Sequence, residues 1–359
     1  MPRSRHAGHE SAAAKSQTQS PSHVTLKDLA ESLNLSSATV SMVINSAPAA
    51  RSIPAKTQER VWAAARKLNY KPNFMAKSLR QKRSYTIGVI VPEISEGYEA
   101  LVLSGVEDFL LQAGFFYYVV SHRHRRELIG EYVKLLQRRG VEGLIAVDTA
   151  VPENKLMHVV SVSGHHDVPG VTNIILDHDL AAKLAVEHLA ELGHKHIAFI
   201  KGQAFSSDTA VRAKAWVQAA RKAGIRVSEA LTAQLVGENP SPELGYVATR
   251  KLLDAGQPFT ALVTFNDISA IGAIKALSEA GLCVPRDVSV VGFDDVQSAA
   301  YQNPALTTVK QPLRDMGALA AKTLMQRISL DFNAPYPKSI VVKPELVVRA
   351  STAPPRKLD

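Results

Sequence analysis

From Ile87 onward, short apolar runs alternate with helical stretches, and that rhythm leaves few folds open. Strand-type runs occur at Ile87–Val91, Phe116–Val120, Gly143–Val147, Val159–Val162, Asn173–Leu176, His196–Ile200, Ala261–Thr264 and Ser289–Phe293. Helical patterns separate them at Gly97–Ala113, Arg126–Arg139, Leu180–Leu192, Ala210–Ala223, Glu243–Ala255, Ile268–Ala280 and Leu313–Ser329. Strands that are apolar throughout, rather than every second residue, have both faces covered, which means parallel sheets flanked by helices. About 270 residues of this pattern exceed one open sheet, so two α/β lobes are expected.

The first quarter of the chain reads differently. Residues 1–84 carry 14 Lys/Arg against 4 Asp/Glu, whereas residues 85–359 carry 28 against 29. A basic module on a near-neutral body points to a polyanionic partner, most simply nucleic acid; a basic disordered tail is the plainer alternative. Residues 1–22 are Ala/Ser/Gln-rich, read as a disordered tail, and lack the apolar stretch of a signal peptide. No apolar run reaches the roughly 18 residues of a membrane helix, so a cytoplasmic protein is expected. The single cysteine, Cys283, excludes an internal disulfide framework; it sits in a turn and reads as an inert packing residue.

Residues 23–70 hold three short helical patterns. Thr25 can cap the first, with Asp28 in capping-box position and Leu26, Leu29, Ala30 and Leu33 on one face. After a tight turn at Asn34-Leu35, Ser36 can cap a second helix from Ser37 to about Asn45. A loop holding Pro48 and Pro54 leads to a third, about Ala55–Leu68. None is stable alone, so they must share one small core. Two short helices, a tight turn and a supporting helix make a helix-turn-helix, whose second helix enters the major groove by its N-terminal residues. Those are Ser37, Ala38, Thr39, Ser41 and Met42. The hydroxyls suit base edges or phosphates, and Ala38 and Met42 suit thymine methyls. A three-helix protein–protein module is the competing reading. Residues 71–84 form a linker of marginal helicity.

In the body, ligands bind beyond the carboxyl ends of parallel strands. Polar residues collect there: Tyr98 after the first strand, Arg212 after the sixth, Asn266 and Asp267 after the seventh, Asp294 and Asp295 after the eighth, and Gln311 after Thr307–Lys310. For Asp294 the alternative role is capping the next helix. Searches for phosphate loops, a nucleophile elbow and metal-ligand spacing find none, and no cofactor or metal is expected; His122/His124 and His165/His166 read as solvated loop residues.

Val24-Thr25-Leu26-Lys27-Asp28-Leu29-Ala30, Leu35-Ser36, Ala38-Thr39-Val40-Ser41 and Val43-Ile44-Asn45 resemble the headpiece of the lactose-repressor/galactose-repressor family. Leu68-Asn69-Tyr70-Lys71-Pro72-Asn73 and Ile87-Gly88-Val89-Ile90-Val91-Pro92 continue the match, and the resemblance runs to about Ser351. It implies an all-α headpiece (residues 23–70), a hinge (71–84), a two-lobed core resembling periplasmic binding proteins (85–350) and a short tail (351–359). It implies a homodimeric repressor without catalytic activity, which binds a pseudo-palindromic double-stranded DNA operator. Thr25, Ser36 and Asn45 join the DNA-facing set.

By the same resemblance Asn73–Arg80 is a hinge helix on the minor groove. Leu79 would be the wedge between base pairs, and Asn73, Lys77 and Arg80 would touch phosphate or groove floor. The effector cleft would take Tyr98, Arg212, Asn266, Asp294 and Gln311, with a sugar, sugar phosphate, nucleobase or nucleoside as ligand. Three departures stand out, the first being Met42, which stands where many members carry a basic or polar base-reading side chain. The Ser46–Ser52 loop is longer than usual, making Arg51 a candidate DNA contact. Pro240 replaces an aromatic platform before Gly245-Tyr246, a role Tyr98 or Phe205 can take over. A solute-binding protein with no DNA role is the alternative reading of the body alone.

Overall fold

The computed structural model describes residues 24–45, 47–71, 78, 83–94, 97–154, 156–238 and 240–356. The expected tail at 1–22 and the hinge residues Asn73, Lys77, Leu79 and Arg80 lie outside them. The chain divides into two compact units, residues 1–83 and 84–359.

In the first unit, α1 (Leu26–Leu33) begins at a closed capping box. The Thr25 hydroxyl accepts from Asp28 N at 3.2 Å, and the Asp28 carboxylate accepts from Thr25 N at 2.8 Å. The helix ends at Asn34 in the left-handed region (φ 50°), where a short amide side chain tolerates the conformation. Ser36 then caps α2 (Ser37–Ile44) by accepting from Thr39 N at 3.1 Å. The segment read as an irregular loop instead winds into a 3₁₀ turn over Pro48–Ser52, started by Pro48. Next comes α3 (Ala55–Lys67). Leu29, Ala30, Val40, Val43, Ile44, Val61 and Ala65 form one buried cluster, the shared core the short helices require.

The second unit holds two six-stranded sheets. The first lobe contains β1 (Thr86–Val91), β2 (Phe116–Ser121), β3 (Gly143–Val147), β4 (His158–Val162), β5 (Val171–Leu176) and β11 (Ser339–Val342), in the order β11-β5-β4-β3-β1-β2. The second contains β6 (Ile197–Lys201), β7 (Thr232–Gln234), β8 (Ala261–Val263), β9 (Ser289–Asp294), β10 (Thr307–Lys310) and β12 (Glu345–Val347), in the order β12-β10-β9-β8-β6-β7. Every pairing is parallel except β10 with β12. The apolar runs that most resemble core, β1, β3, β4 and β9, are buried along their whole length.

Helices α4 (Tyr98–Gln112) and α5 (Arg126–Arg138) cover the first sheet. Helices α6 (His178–Glu191), α7 (Ser207–Lys222), α8 (Pro242–Asp254) and α9 (Asp267–Glu279) cover the second, with the short α10 (Gln297–Tyr301) after β9. Helix α11 (Leu313–Ile328) returns to the first lobe, where Leu313, Met316, Ala320 and Leu324 enter its core. The chain therefore crosses between lobes after β5, β10 and β11. The strands β7, β11 and β12 were not expected from the sequence. They are three or four residues long and half exposed, so they lack a continuous apolar run.

Two corrections concern the core's C-terminal end and its cysteine. The boundary expected at residue 350 falls short, because Ser351 is fully buried. Its hydroxyl donates to Val290 O at 2.6 Å and accepts from Thr307 N at 2.8 Å. Cys283 is exposed rather than packed, with Arg286 Nη2 at 3.1 Å from its sulfur.

Helices α8 and α9 cross in close contact at Gly245 and Gly272. A Cβ on Gly245 would strike the Ser269 carbonyl, and one on Gly272 the Pro242 carbonyl. Backbone cannot yield as a flexible side chain can. Gly245→Ala is therefore expected to destabilise the core by about 1–3 kcal/mol, read from the midpoint of denaturant unfolding.

Candidate functional site

The N-terminal end of α2 is the exposed surface of the headpiece that matters. Ser37 and Ala38 are exposed, and Thr39, Met42 and Asn45 half-buried. Ser41 does not join them: it is buried beside Val40, and its hydroxyl lies 3.3 Å from Asn45 Nδ2. One position off the exposed face of a helix turns a side chain inward. The hydroxyls of Thr25 and Ser36 are occupied in capping, and Arg51 is exposed in the 3₁₀ turn.

In the core, each sheet reverses its winding direction between two strands. These are β1 and β3 in the first lobe, β6 and β8 in the second. The loops leaving those strands, with neighbours after β2 and β9, line a cleft. Tyr98, Glu99, His124 and Asp148 come from the first lobe, and Gln203, Phe205, Asp208, Arg212, Asn266 and Asp294 from the second.

Arg212 is the centre of the charge arrangement. It is buried in α7, donates from Nη2 to Asp208 Oδ2 at 2.5 Å and from Nη1 to Phe265 O at 2.9 Å. Its guanidinium lies over the rings of Phe293 (3.9 Å) and Phe265 (4.6 Å). The other Asp208 oxygen meets His165 Nε2 at 2.6 Å. Burial opposes the charge on Asp208, but Arg212, His165 and His178 outweigh it and hold the carboxyl well below its usual range.

Asp148, after β3, accepts from Ser207 Oγ at 3.3 Å and Ser206 Oγ at 3.4 Å. Tyr98 Oη is hydrogen-bonded to Ser163 Oγ at 2.5 Å. Asp294 and Asp295 both take positive φ (110° and 58°), which turns the chain sharply at the end of β9. Asp294 accepts from Gln311 Nε2 at 2.6 Å, whereas Asp295 pairs with Arg349 at 2.7 Å, away from the ligand-facing set. Asp294 therefore lines the cleft and is not a helix cap. Asp267 fills an anchoring role instead, accepting from Val296 N at 2.9 Å and Thr308 Oγ1 at 2.6 Å. Asn266 caps α9 by accepting from Ser269 N at 2.9 Å. Phe205 lies against the ring of His124, centroids 4.4 Å apart.

Burial pushes the Asp294 carboxyl up to about 7, against the pull of Arg212 and the Gln311 hydrogen bond. Burial, with the charges of Asp208 and Glu99, also raises Asp148. A carboxyl raised in this way binds its proton more tightly when folded. Its stabilising contribution is complete below the ordinary value of ~3.9 and is lost as pH climbs through the raised one. The core is expected to lose thermal stability between about pH 4 and pH 7, by at most ~1.4 kcal/mol per pH unit for each such group. Asp294→Asn should flatten the slope of melting temperature against pH.

Residues 25–73 match the family of bacterial regulatory proteins, lacI family, and residues 186–352 match the periplasmic binding protein-like domain. The HTH-type transcriptional repressor PurR of Glaesserella parasuis serovar 5 (strain SH0165) is 32% identical over 341 residues, covering 91% of this chain and 98% of that protein. The chain belongs to the lacI family of bacterial regulatory proteins. The lac repressor dimer bound to operator and the anti-inducer ONPF superposes with a TM-score of 0.81 at 29% identity, covering 92% of this chain and 100% of that one. The transcriptional regulator CelR–cellobiose complex gives 0.67 at 27% identity over the same shares. This lacI-family protein is a DNA-binding transcriptional repressor with an effector-binding core. Among its described residues no helix is long and apolar enough to cross a membrane.

The structure of this repressor brings Tyr98, Phe205, Arg212, Asn266 and Asp294 to one cleft, with Gln311 held on Asp294. Sequence reasoning missed Asp148 and Asp208, which carry much of its charge. Asp148 follows a predicted strand directly and was detectable by that position; Asp208 sits one helical turn before Arg212. The histidine pairs also need correction. His122 is buried with Nε2 at 3.0 Å from Thr149 Oγ1, and burial with His124 nearby brings it down to about 4. His124 and His165 are half-buried, and of the four only His166 is exposed. They follow β2 and β4 at the edge where the lobes face each other, so loops that look open in sequence are covered in space.

Proposed function

We propose that this repressor reads its operator with Ser37, Ala38, Thr39 and Met42 in the major groove. Thr25, Ser36, Asn45 and Arg51 flank them, and Asn73, Lys77, Leu79 and Arg80 engage the minor groove. Its effector is a small, uncharged molecule rich in hydrogen-bond donors, of the sugar or nucleoside type rather than a sugar phosphate. The observation that carries the effector reading is the engagement of Arg212. Among the described residues lining the cleft it is the only lysine or arginine, and Asp208 and the Phe265 carbonyl each take one hydrogen bond from a terminal nitrogen, leaving Nε without a partner. A phosphate there would find no cation other than Arg212, whose charge Asp208 already balances. Phe205 beside His124 supplies the flat surface that Pro240 does not. The protein is cytoplasmic and carries out no catalysis; residues 23–70 are the DNA-binding domain and 71–84 the hinge.

A melting-temperature screen of the full chain tests the effector class, because a ligand that binds only the folded state raises the midpoint by mass action. Neutral sugars or nucleosides should include the stabilising ligand. Stabilisation by a sugar phosphate but not by its dephosphorylated form would overturn the reading. Gel shifts at several salt concentrations test the DNA half: operator affinity should fall steeply with salt. Leu79→Ala should weaken operator binding far more than non-specific binding.

A further inference from the structure

We propose that His165, His178 and Asp208 form a binding site for a single divalent transition-metal ion of the zinc type. His165 lies in the loop after β4, His178 is the first residue of α6 at the crossing between lobes, and Asp208 is in the first turn of α7. His165 Nε2 is 2.6 Å and His178 Nε2 3.4 Å from the same oxygen, Asp208 Oδ1. All three candidate ligand atoms fall within 4.8 Å of one another. Ligands held at about 2.0–2.2 Å from a tetrahedral zinc stand roughly 3.3 Å apart, so the group needs only small side-chain shifts to close around an ion.

The second observation is His178 itself. Its side chain is 4% exposed, Nδ1 has no hydrogen-bond partner, and Nε2 has only the long 3.4 Å contact with Asp208 Oδ1. A buried imidazole so weakly satisfied is costly, and an ion on Nε2 would replace that long contact with a bond. Asp208 is prepared for monodentate ligation. Arg212 holds Oδ2, leaving Oδ1 for the metal, the pattern in which an outer partner orients a ligating carboxylate. Arg212 also repels a cation. The Asp208 carboxylate lies between Arg212 and the histidines and offsets that repulsion. Two imidazoles and a carboxylate suit zinc and its neighbours in the first transition row rather than magnesium or calcium. The ligands come from both lobes, so a bound ion would tie the lobes together at the edge of the cleft.

The test uses metal-free full-length protein titrated with Zn²⁺ by calorimetry and with Co²⁺ by visible absorption. One ion per chain is expected, with the d–d bands of nitrogen-and-oxygen ligation. His165→Ala and His178→Gln should each weaken binding roughly tenfold or more, while His166→Ala leaves it unchanged. Unaltered circular dichroism and melting without metal will separate lost ligation from lost folding. Absence of saturable binding would overturn the proposal and leave a metal-free His–Asp–His network. Binding that survives both substitutions would place the ion elsewhere and overturn it equally.

Discussion

Leu29→Ala is expected to abolish operator binding while the core continues to fold and to bind effector. Leu29 is fully buried at the centre of a cluster of seven small and medium apolar residues drawn from α1, α2 and α3. Truncating a buried leucine costs about 2–5 kcal/mol, from lost transfer energy and the cavity left behind. A three-helix unit of this size has a total stability of only about 3–5 kcal/mol. The loss is therefore comparable to everything that holds the headpiece together. The core has its own apolar clusters on both faces of each sheet, separate from that of the headpiece. Gel shift should show no retarded complex, while the melting transition of the core and its shift with effector stay where they were. Retained operator affinity would mean that the three helices are stabilised by something other than their shared interior.

The second large effect is expected at Arg212. Arg212→Ala leaves the Asp208 carboxylate buried without its cation, and Phe293 and Phe265 without the guanidinium stacked on them. Removing one partner of a buried pair costs about 3–5 kcal/mol; here the carboxylate would keep only its histidine contacts on Oδ1. The effector response should vanish as well. A second variant separates the two consequences: Arg212→Met combined with Asp208→Asn removes both charges at similar volume. It should recover much of the stability in denaturant unfolding, yet leave the effector response absent. If the double variant were as unstable as Arg212→Ala, packing around the guanidinium would be the larger contribution rather than the charge.

Much of the architecture is legible in the order of residues. The eight apolar runs mark strands of two parallel sheets; in seven, burial on both faces leaves a local record in residue type, whereas β2 is an edge strand with Phe116 and Tyr118 exposed. The capping box at Thr25–Asp28 and the turn at Asn34 likewise depend on neighbours within three residues of each other. Asp294, Asn266 and Arg212 could be singled out because strand ends are marked by the same local pattern. The pieces that escaped were the short β7, β11 and β12, whose pairing partners lie far along the chain and whose exposed faces carry no apolar stripe. Cys283 and Ser351 were misjudged for the same reason, since exposure and burial there depend on what the rest of the chain brings near.

The primary structure alone determined where the longer helices and the apolar strands lie, that a cationic module precedes a neutral body, and which residues cluster at the ends of those strands. Only the tertiary arrangement decided which charges meet. Asp208, four positions from Arg212, is recruited by a helix turn, but His165 and His178 reach it from another sheet and another crossing. Local signals arise from contacts between residues a few positions apart, which residue type records directly. The protonation and pairing of a cleft arise from desolvation and from charges brought together across hundreds of residues, and no short window of the chain contains both.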